Sequence, residues 1–294
     1  MRRSQGRSIG VAISELNTLV KRMVEVTKKF RIVHNPDISY EMSLQDVLNR
    51  PLNDINLFIG YLKEHHPELT DTFVSSLQPK LRELVEGANI NIEVFQTNPE
   101  NISDYPELEI DYKKAVLHLL QYDKYSSKVS NGKGTFLYKD FLRSWLIPAA
   151  HIAETTVKLL SREEGLEFYR NYVDYRTDHE KLVEPMNSLD DIFDSLKSDE
   201  SPLGGVIISV KDGPLYVKIT SCLWKETLKA FDPEIRYAVL CHFDFHATKH
   251  YNENFVLTRK GTLAKGNRFC DFCWQDRRFV TRDHPDDDFW EYLS

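Results

Sequence analysis

The chain has 294 residues, 41% of them hydrophobic and 28% charged, which is enough to bury a sizeable core in one large domain or two modest ones. A net charge of −7 at pH 7 argues against nucleic acid as a partner, because phosphate binding needs clustered Lys and Arg. No apolar run approaches the roughly 20 residues of a membrane span, and the basic start is not followed by the apolar stretch of a signal peptide. Four cysteines in a chain of this length do not describe a disulfide scaffold. The chain therefore reads as cytoplasmic, with its cysteines as free thiols, ligands or a nucleophile.

Residues 9–31 carry Ile13, Leu16, Leu19, Val20, Met23 and Val24 at helical spacing, and His34-Asn35-Pro36-Asp37 breaks the pattern. Ser43 is an N-cap for a second helix running toward His65, with a break expected at Arg50-Pro51. Pro67 opens a third helix to Leu84, and Leu108–Tyr122 is a fourth. Between these two, 89–106 is loop with a β-prone piece at Ile90–Phe95. Ser126–Gly134 is polar and contains glycine, so it is read as a linker. Phe136–Leu160 is a long helix kinked or broken at Pro148, followed by helices over Arg162–Arg176 and Ser188–Leu196.

After Gly204-Gly205 the period changes. Val206–Val210 and Leu215–Ile219 flank Lys211-Asp212-Gly213-Pro214 as a hairpin. Leu223–Ala230 is a short helix, Tyr237–Phe243 is a strand or a helix, and Phe255–Thr262 with Phe269–Asp276 makes a second hairpin. The expected class is α+β: a helical N-terminal half, then an antiparallel sheet of about four to five strands flanked by helices. The expected units are a helical subdomain over 1–125, an α+β domain over 136–282, and an acidic tail over 283–294 that packs loosely or is mobile. The helical half would cap the site or form a homodimer.

Chemistry concentrates between Cys241 and Trp274, which holds three of the four cysteines and three of the ten histidines. His242, His246 and His250 recur every four residues, which makes one stripe on a helix, and His246 with His250 has zinc-ligand spacing. Asp244 lies between Phe243 and Phe245, where burial would raise its pKa and suit it to proton transfer; His246 is the other proton carrier and Asp271 a partner carboxylate. Arg259 offers a bidentate cation for a carboxylate, with Lys265 as a second, while Asn252 and Asn254 offer amide hydrogen bonds. Cys270 and Cys273 form a C-x-x-C pair, but on a strand their thiols point to opposite faces. Gly204-Gly205 lacks the following Gly-Lys-Ser/Thr of a phosphate loop, Ser209 and Ser221 lack a nucleophile-elbow context, and Trp145, Trp224 and Trp274 are read as core.

Taken together, residues 222–274 resemble the L-2-amino-thiazoline-4-carboxylic acid hydrolase family. The matching residues are Cys222, Leu240-Cys241 with Asp244, Asn252-Glu253-Asn254-Phe255, Arg259, Thr262-Leu263-Ala264-x-Gly266 and Cys270-Asp271-Phe272. The family signature carries an aspartate after the glycine, where this chain has Asn267. The resemblance extends to about 136–276 and leaves 1–125 unaddressed. It implies hydrolysis of a cyclic amidine or thiazoline-type carboxylate, water entering at the carbon between nitrogen and sulfur and a thiol leaving. In that chemistry Cys241 or Cys270 is the nucleophile, Asp244 or His246 carries protons and Arg259 anchors the carboxylate. Asn252, Asn254, Thr262, Asp271, Cys222 and His242 would contact the substrate. No cofactor is required by this reading. Two alternatives stand beside it: a zinc or iron enzyme with ligands among Cys222, Cys241, Cys270 and His246, and a non-enzymatic small-molecule-binding module.

Overall fold

The computed structural model describes residues 26–95, 102–279 and 281–293. Its larger sheet contains β1 (Val26–Ile32), β4 (Leu203–Val210), β5 (Leu215–Cys222), β7 (Cys270–Asp276) and β6 (Phe255–Thr258), in that spatial order, with every neighbouring pair antiparallel. A separate ribbon pairs β2 (Ser39–Ser43) with β3 (Lys133–Leu137). The long helices precede four of the five sheet strands, so the fold is α+β as expected.

The N-terminal helix expected over 9–31 lies outside the described residues as far as 25, and beyond that point it is overturned. Val26–Ile32 is an edge strand, with Lys29 paired to Ile208 and Arg31 to Val206. Lys29 and Arg31 are exposed whereas Ile32 is buried, the period-two alternation of a strand. Ser126–Gly134, expected as a linker, instead leads into β3, and the Ser43–Lys133 pairing ties the segment to the start of the first long helix.

That helix, α1 (Leu44–His65), begins as its capping residue predicts: Ser43 accepts a hydrogen bond from the Asp46 backbone N–H. It runs through Pro51 without the expected break. Then come α2 (Thr70–Leu84), α3 (Pro106–Leu120) and the short α4 (Tyr122–Ser126). The helix α5 (Tyr138–Leu159) is continuous through Pro148. A capping box between Ser161 and Glu164 starts α6 (Arg162–Glu180), and a second one between Ser188 and Asp191 starts α7 (Leu189–Leu196). Helices α1, α2, α3, α5 and α6 enclose one core around Phe58, whose ring lies 5.1 Å from Phe73 and 4.9 Å from Tyr172.

The ambiguous stretch near 237–243 is helical: α8 (Leu223–Thr227), α9 (Pro233–Leu240) and α10 (Phe243–Tyr251) follow β5 in succession. Asp232 caps α9 and Pro233 occupies its first turn, where a missing N–H costs nothing. On β7 the side chains alternate, so Cys270 and Trp274 join the cluster with Ile207, Val217 and Phe193, whereas Cys273 joins Val206, Tyr216 and Trp290 on the opposite face. The two thiols of the C-x-x-C pair accordingly part, as the strand reading requires.

The tail is not loose. Asp286 caps α11 (Asp287–Tyr292), Trp290 is fully buried against the outer face of the sheet, and Lys218 Nζ donates to the Leu293 carbonyl at 3.0 Å. His284 is clamped between Thr258 Oγ1 at 2.9 Å and Asp271 Oδ2 at 3.0 Å. The acidic composition that suggested mobility places Asp287 and Asp288 in the first turn of a helix, where carboxylates oppose the dipole, and leaves the aromatic residue to pack. No helix among the described residues is long and apolar enough to cross a membrane.

Candidate active site

Between the helical block and the inner face of the sheet lies a cavity of about 390 Å³. The sheet supplies Val217, Ile219, Cys270, Phe272 and Trp274 as its floor, the side chains that alternation turns inward. Cys222, Trp224, Cys241 and Asp244 form one wall, from the end of β5 and the segments that follow it. The rest of the wall comes from α1, α5 and α6: Arg50, Tyr138, Trp145 and Arg176, with the Tyr138 ring 5.8 Å from that of Trp224. A larger recess of about 680 Å³ over residues 88–124 contains no thiol and no carboxylate other than Asp123. Cys222, Cys241, Cys270 and Asp244 line the inner cavity instead.

Three of the predicted residues meet there as thiols. Burial pushes Cys222 up to about 11 and Cys270 up to about 12, and it raises Cys241 as well, with the charge of Asp244 adding to the effect on Cys241. All three are thus held as thiols at neutral pH. Cys222 sits at the N-terminus of α8, where the backbone N–H groups of Trp224 and Lys225 favour its thiolate, and Cys270 Sγ accepts the Leu263 backbone N–H at 3.2 Å.

Asp244 lines the same cavity, with its carboxyl raised by burial against the opposing pull of Arg259. Arg259 is placed differently from its expected role. Its side chain is 1% exposed, its Nη1 stands 2.5 Å from Asp244 Oδ2 and its Nη2 donates to the Cys241 carbonyl at 2.8 Å. The guanidinium is stacked among aromatic rings, 4.8 Å from Phe272 and 4.9 Å from Phe245. It orients Asp244 and is absent from the cavity lining.

The remaining predicted contacts do not reach the cavity. Asp271 accepts the Lys260 and Gly261 backbone N–H groups at 3.1 and 2.7 Å and faces His284. Thr262 caps a 3₁₀ turn, Asn252 donates to the Met186 carbonyl at 3.0 Å, and Asn254 is held by Asn252. Asn267 Oδ1 accepts the Thr262 backbone N–H at 3.0 Å. A carboxylate would do the same, so the departure from the family signature falls on a turn acceptor. Lys265 pairs with Glu234 at 3.1 Å.

The histidine stripe exists, since His246 and His250 lie on α10 and His242 at its start, but it faces α6. His242 Nε2 is 3.0 Å from Asp174, and His246 Nε2 is 2.6 Å from Asp178. His246 is therefore not gathered with Cys222, Cys241 and Cys270 into a ligand set. Among the described residues, the three groups whose ligand atoms lie within 4.8 Å of one another are Asp178, His246 and His250.

Sequence reasoning missed the helical wall. Trp145 and Trp224, read as core, are half-buried and line the cavity. Arg176 makes a buried ion pair with Asp54 at 2.8 Å, and Trp145 Nε1 donates to the same carboxylate. Arg50 is exposed at the rim, its guanidinium 4.2 Å from the centre of the Trp145 ring. Only the unexplained charge of Arg50 within an otherwise amphipathic helix marked it in the sequence, and that signal is common to solvated faces.

A cavity with an apolar aromatic floor and a few convergent polar groups is the form of a small-molecule site. Residues 143–274 match the L-2-amino-thiazoline-4-carboxylic acid hydrolase family. The matched region runs through Trp145, Arg176, the three thiols and Asp244, and it agrees with the resemblance carried by the C-terminal half. The match supports hydrolase-like small-molecule chemistry in general terms. No curated protein and no solved structure gives a match.

Proposed function

We propose that the cavity hydrolyses a small cyclic amidine carboxylate of the thiazoline type. The observation that carries this reading is the placement of Asp244: a carboxyl raised by burial, oriented by Arg259 and facing a cavity lined by three thiols. As a carboxylate, Asp244 takes a proton from a water that attacks the ring carbon between nitrogen and sulfur. The second proton of that water passes to the ring nitrogen as the carbon–sulfur bond breaks, Asp244 returns the first to the departing sulfur, and the oxygen becomes the carbonyl of an N-carbamoyl product bearing a free thiol. A cysteine nucleophile displaces the ring sulfur to give an isothiourea linked to the enzyme, Asp244 passing the thiol proton to the departing sulfur, and water then hydrolyses that adduct to the same product and frees the cysteine. The raised thiols of the free protein favour the water route.

Arg50 is our candidate for the substrate carboxylate anchor. It lines the cavity, is exposed at the rim and makes no ion pair among the described residues. Arg259 and Arg176 are each committed to an aspartate. Tyr138, kept protonated by burial that lifts it to about 12, offers a hydroxyl donor on the same wall.

The test is thiol release from 2-aminothiazoline-4-carboxylate, followed with a thiol reagent in the wild type, Asp244→Asn and single Cys→Ser variants at 222, 241 and 270. Release that vanishes in Asp244→Asn and survives all three serine variants supports the water route. Loss in one serine variant assigns the nucleophile to that cysteine. Full activity in Asp244→Asn removes the carboxylate from the chemistry.

A further inference from the structure

We infer that Asp178, His246 and His250 form a binding site for one divalent zinc-class ion, which clamps α10 to α6. This site is independent of the hydrolase reading.

The site arises from two helical ladders of the same pitch. Asp174 and Asp178 are four residues apart on α6, and His242, His246 and His250 are four apart along α10 and its first cap, so each set lies along one stripe. Facing each other, the stripes bring Asp178 Oδ1 to 2.6 Å from His246 Nε2 and 2.7 Å from His250 Nε2, and the two Nε2 atoms to 3.2 Å from one another. Without an ion, the two Nε2 atoms crowd one carboxylate oxygen and one another, and His246 Nε2 would have to serve both Asp178 and His250. With an ion, both nitrogens present lone pairs and the carboxylate is a third ligand. Tetrahedral zinc bonds of ~2.0–2.2 Å put donor atoms about 3.3 Å apart. The histidine pair already has that separation, and Asp178, whose side chain is 55% exposed, has solvent into which to shift outward.

The second layer fits as well. Asp174 Oδ1 lies 3.5 Å from His246 Nδ1, placing a carboxylate behind a metal-facing imidazole. Closing by a few tenths of an ångström makes this contact the hydrogen bond that keeps the proton on Nδ1 and leaves Nε2 to bind. Asp174 Oδ1 and His242 Nε2 are buried and 3.0 Å apart without an aligned hydrogen bond, so this carboxylate retains accepting capacity. Two imidazoles with one carboxylate suit zinc, nickel or copper rather than calcium or magnesium. The fourth position opens to solvent, since His250 is 40% exposed.

The position gives the ion a structural task. Residues 244 and 246 point about 200° apart around a helix, so the ligands occupy the face of α10 opposite Asp244. On α6 the same spacing separates Arg176, which lines the cavity, from Asp174 and Asp178. An ion here fixes the two helices that deliver Asp244 and Arg176 without entering the cavity itself.

The experiment titrates the tag-free full chain, stripped with chelator, with Zn²⁺ in competition with a chromophoric chelator, and follows thermal melting in parallel. We expect one zinc per chain, a higher melting temperature with zinc, and loss of both in His246→Ala, His250→Ala and Asp178→Ala. Asp174→Asn should weaken affinity by roughly 10–100-fold. Because His250 and Asp178 are exposed, their variants are expected to keep the fold, which circular dichroism verifies. Serine variants at 222, 241 and 270 should bind as the wild type does. No saturable binding, binding that survives the His246→Ala/His250→Ala double variant, or binding lost in the serine variants each overturns the proposal. Thiol release is read separately, so failure of the hydrolase reading leaves this result intact.

Discussion

One buried guanidinium sets two parts of the cavity wall: Arg259 holds Asp244 Oδ2 at 2.5 Å and the carbonyl of Cys241 at 2.8 Å. Removing it leaves a half-buried carboxylate without its counter-charge. Arg259→Met should cost about 1–3 kcal/mol of stability at pH 7 in denaturant unfolding, the range for leaving a partly buried polar group unpaired. Arg259→Lys keeps the charge but cannot serve both partners from one planar fork, and should fall between the two. A loss below 1 kcal/mol for Arg259→Met would mean that the pair is not formed in solution.

The raised carboxyl of Asp244 has opposite effects on stability and rate. Its folded value lies above the ordinary 3.8, so the folded chain holds the proton more tightly than the unfolded chain. That contribution is complete below pH 3.8 and is lost as pH rises through the folded value. Activity through the carboxylate runs the other way and falls as pH drops through the same value. The acid limb of kcat/KM should therefore lie above the usual carboxylate range and be absent from any residual rate of Asp244→Asn.

The cavity thiols make an alkaline prediction. Cys222 and Cys270 are raised from 9.0 to about 11 and about 12 by burial. Their contribution to stability is whole below pH 9 and is lost as pH rises through the folded values. Iodoacetamide should label these positions slowly at pH 8, and labelling of Cys222 should accelerate above pH 10. Fast, stoichiometric labelling at pH 7 would show that a thiolate exists in the resting protein.

If Arg50 anchors the carboxylate, Arg50→Ala should raise KM by about tenfold or more, equivalent to roughly 1.4 kcal/mol, with kcat little changed. Arg50→Lys should recover part of the loss. An uncharged analogue lacking the carboxylate should bind both proteins equally. If instead kcat falls with KM unchanged, Arg50 acts on the transition state and the anchor lies elsewhere.

Trp290 fills the outer face of the sheet and is fully buried. Trp290→Ala should cost about 3–5 kcal/mol, the range for emptying a large aromatic site. Removing 283–293 should cost at least as much, because it also takes away His284 from Asp271 and Thr258. Unchanged thermal unfolding in either variant would restore the tail to a passive role.

The parts of this site that were legible in the sequence are local ones. The spacing of Cys241, Asp244 and Cys270 belongs to one contiguous signature, and the four-residue histidine period needed only the knowledge that α10 is a helix. Strand alternation correctly parted Cys270 from Cys273. What escaped are the groups brought in from afar. Arg50 and Trp145 belong to helices far upstream, and the partners of the histidine stripe, Asp174 and Asp178, sit on α6 with nothing in their own neighbourhood to mark them. Arg259 was misassigned for a related reason: a cation in a signature looks like a substrate contact, and only the fold reveals that Asp244 already occupies it. Lys29-Phe30-Arg31-Ile32 fits a helical or a strand period equally, and pairing with β4 decides between them.

The cavity is assembled from two separable stretches of chain. The thiols and Asp244 all come from beyond residue 221, whereas the rim arginine comes from α1, ahead of the region matching the hydrolase family. If the proposed roles hold, reactivity and choice of molecule can diverge independently in descent. A protein sharing the later stretch but carrying another first helix would then present the same reacting groups to a different acid, and sorting such proteins by their shared signature alone would group them by chemistry while mixing their diets.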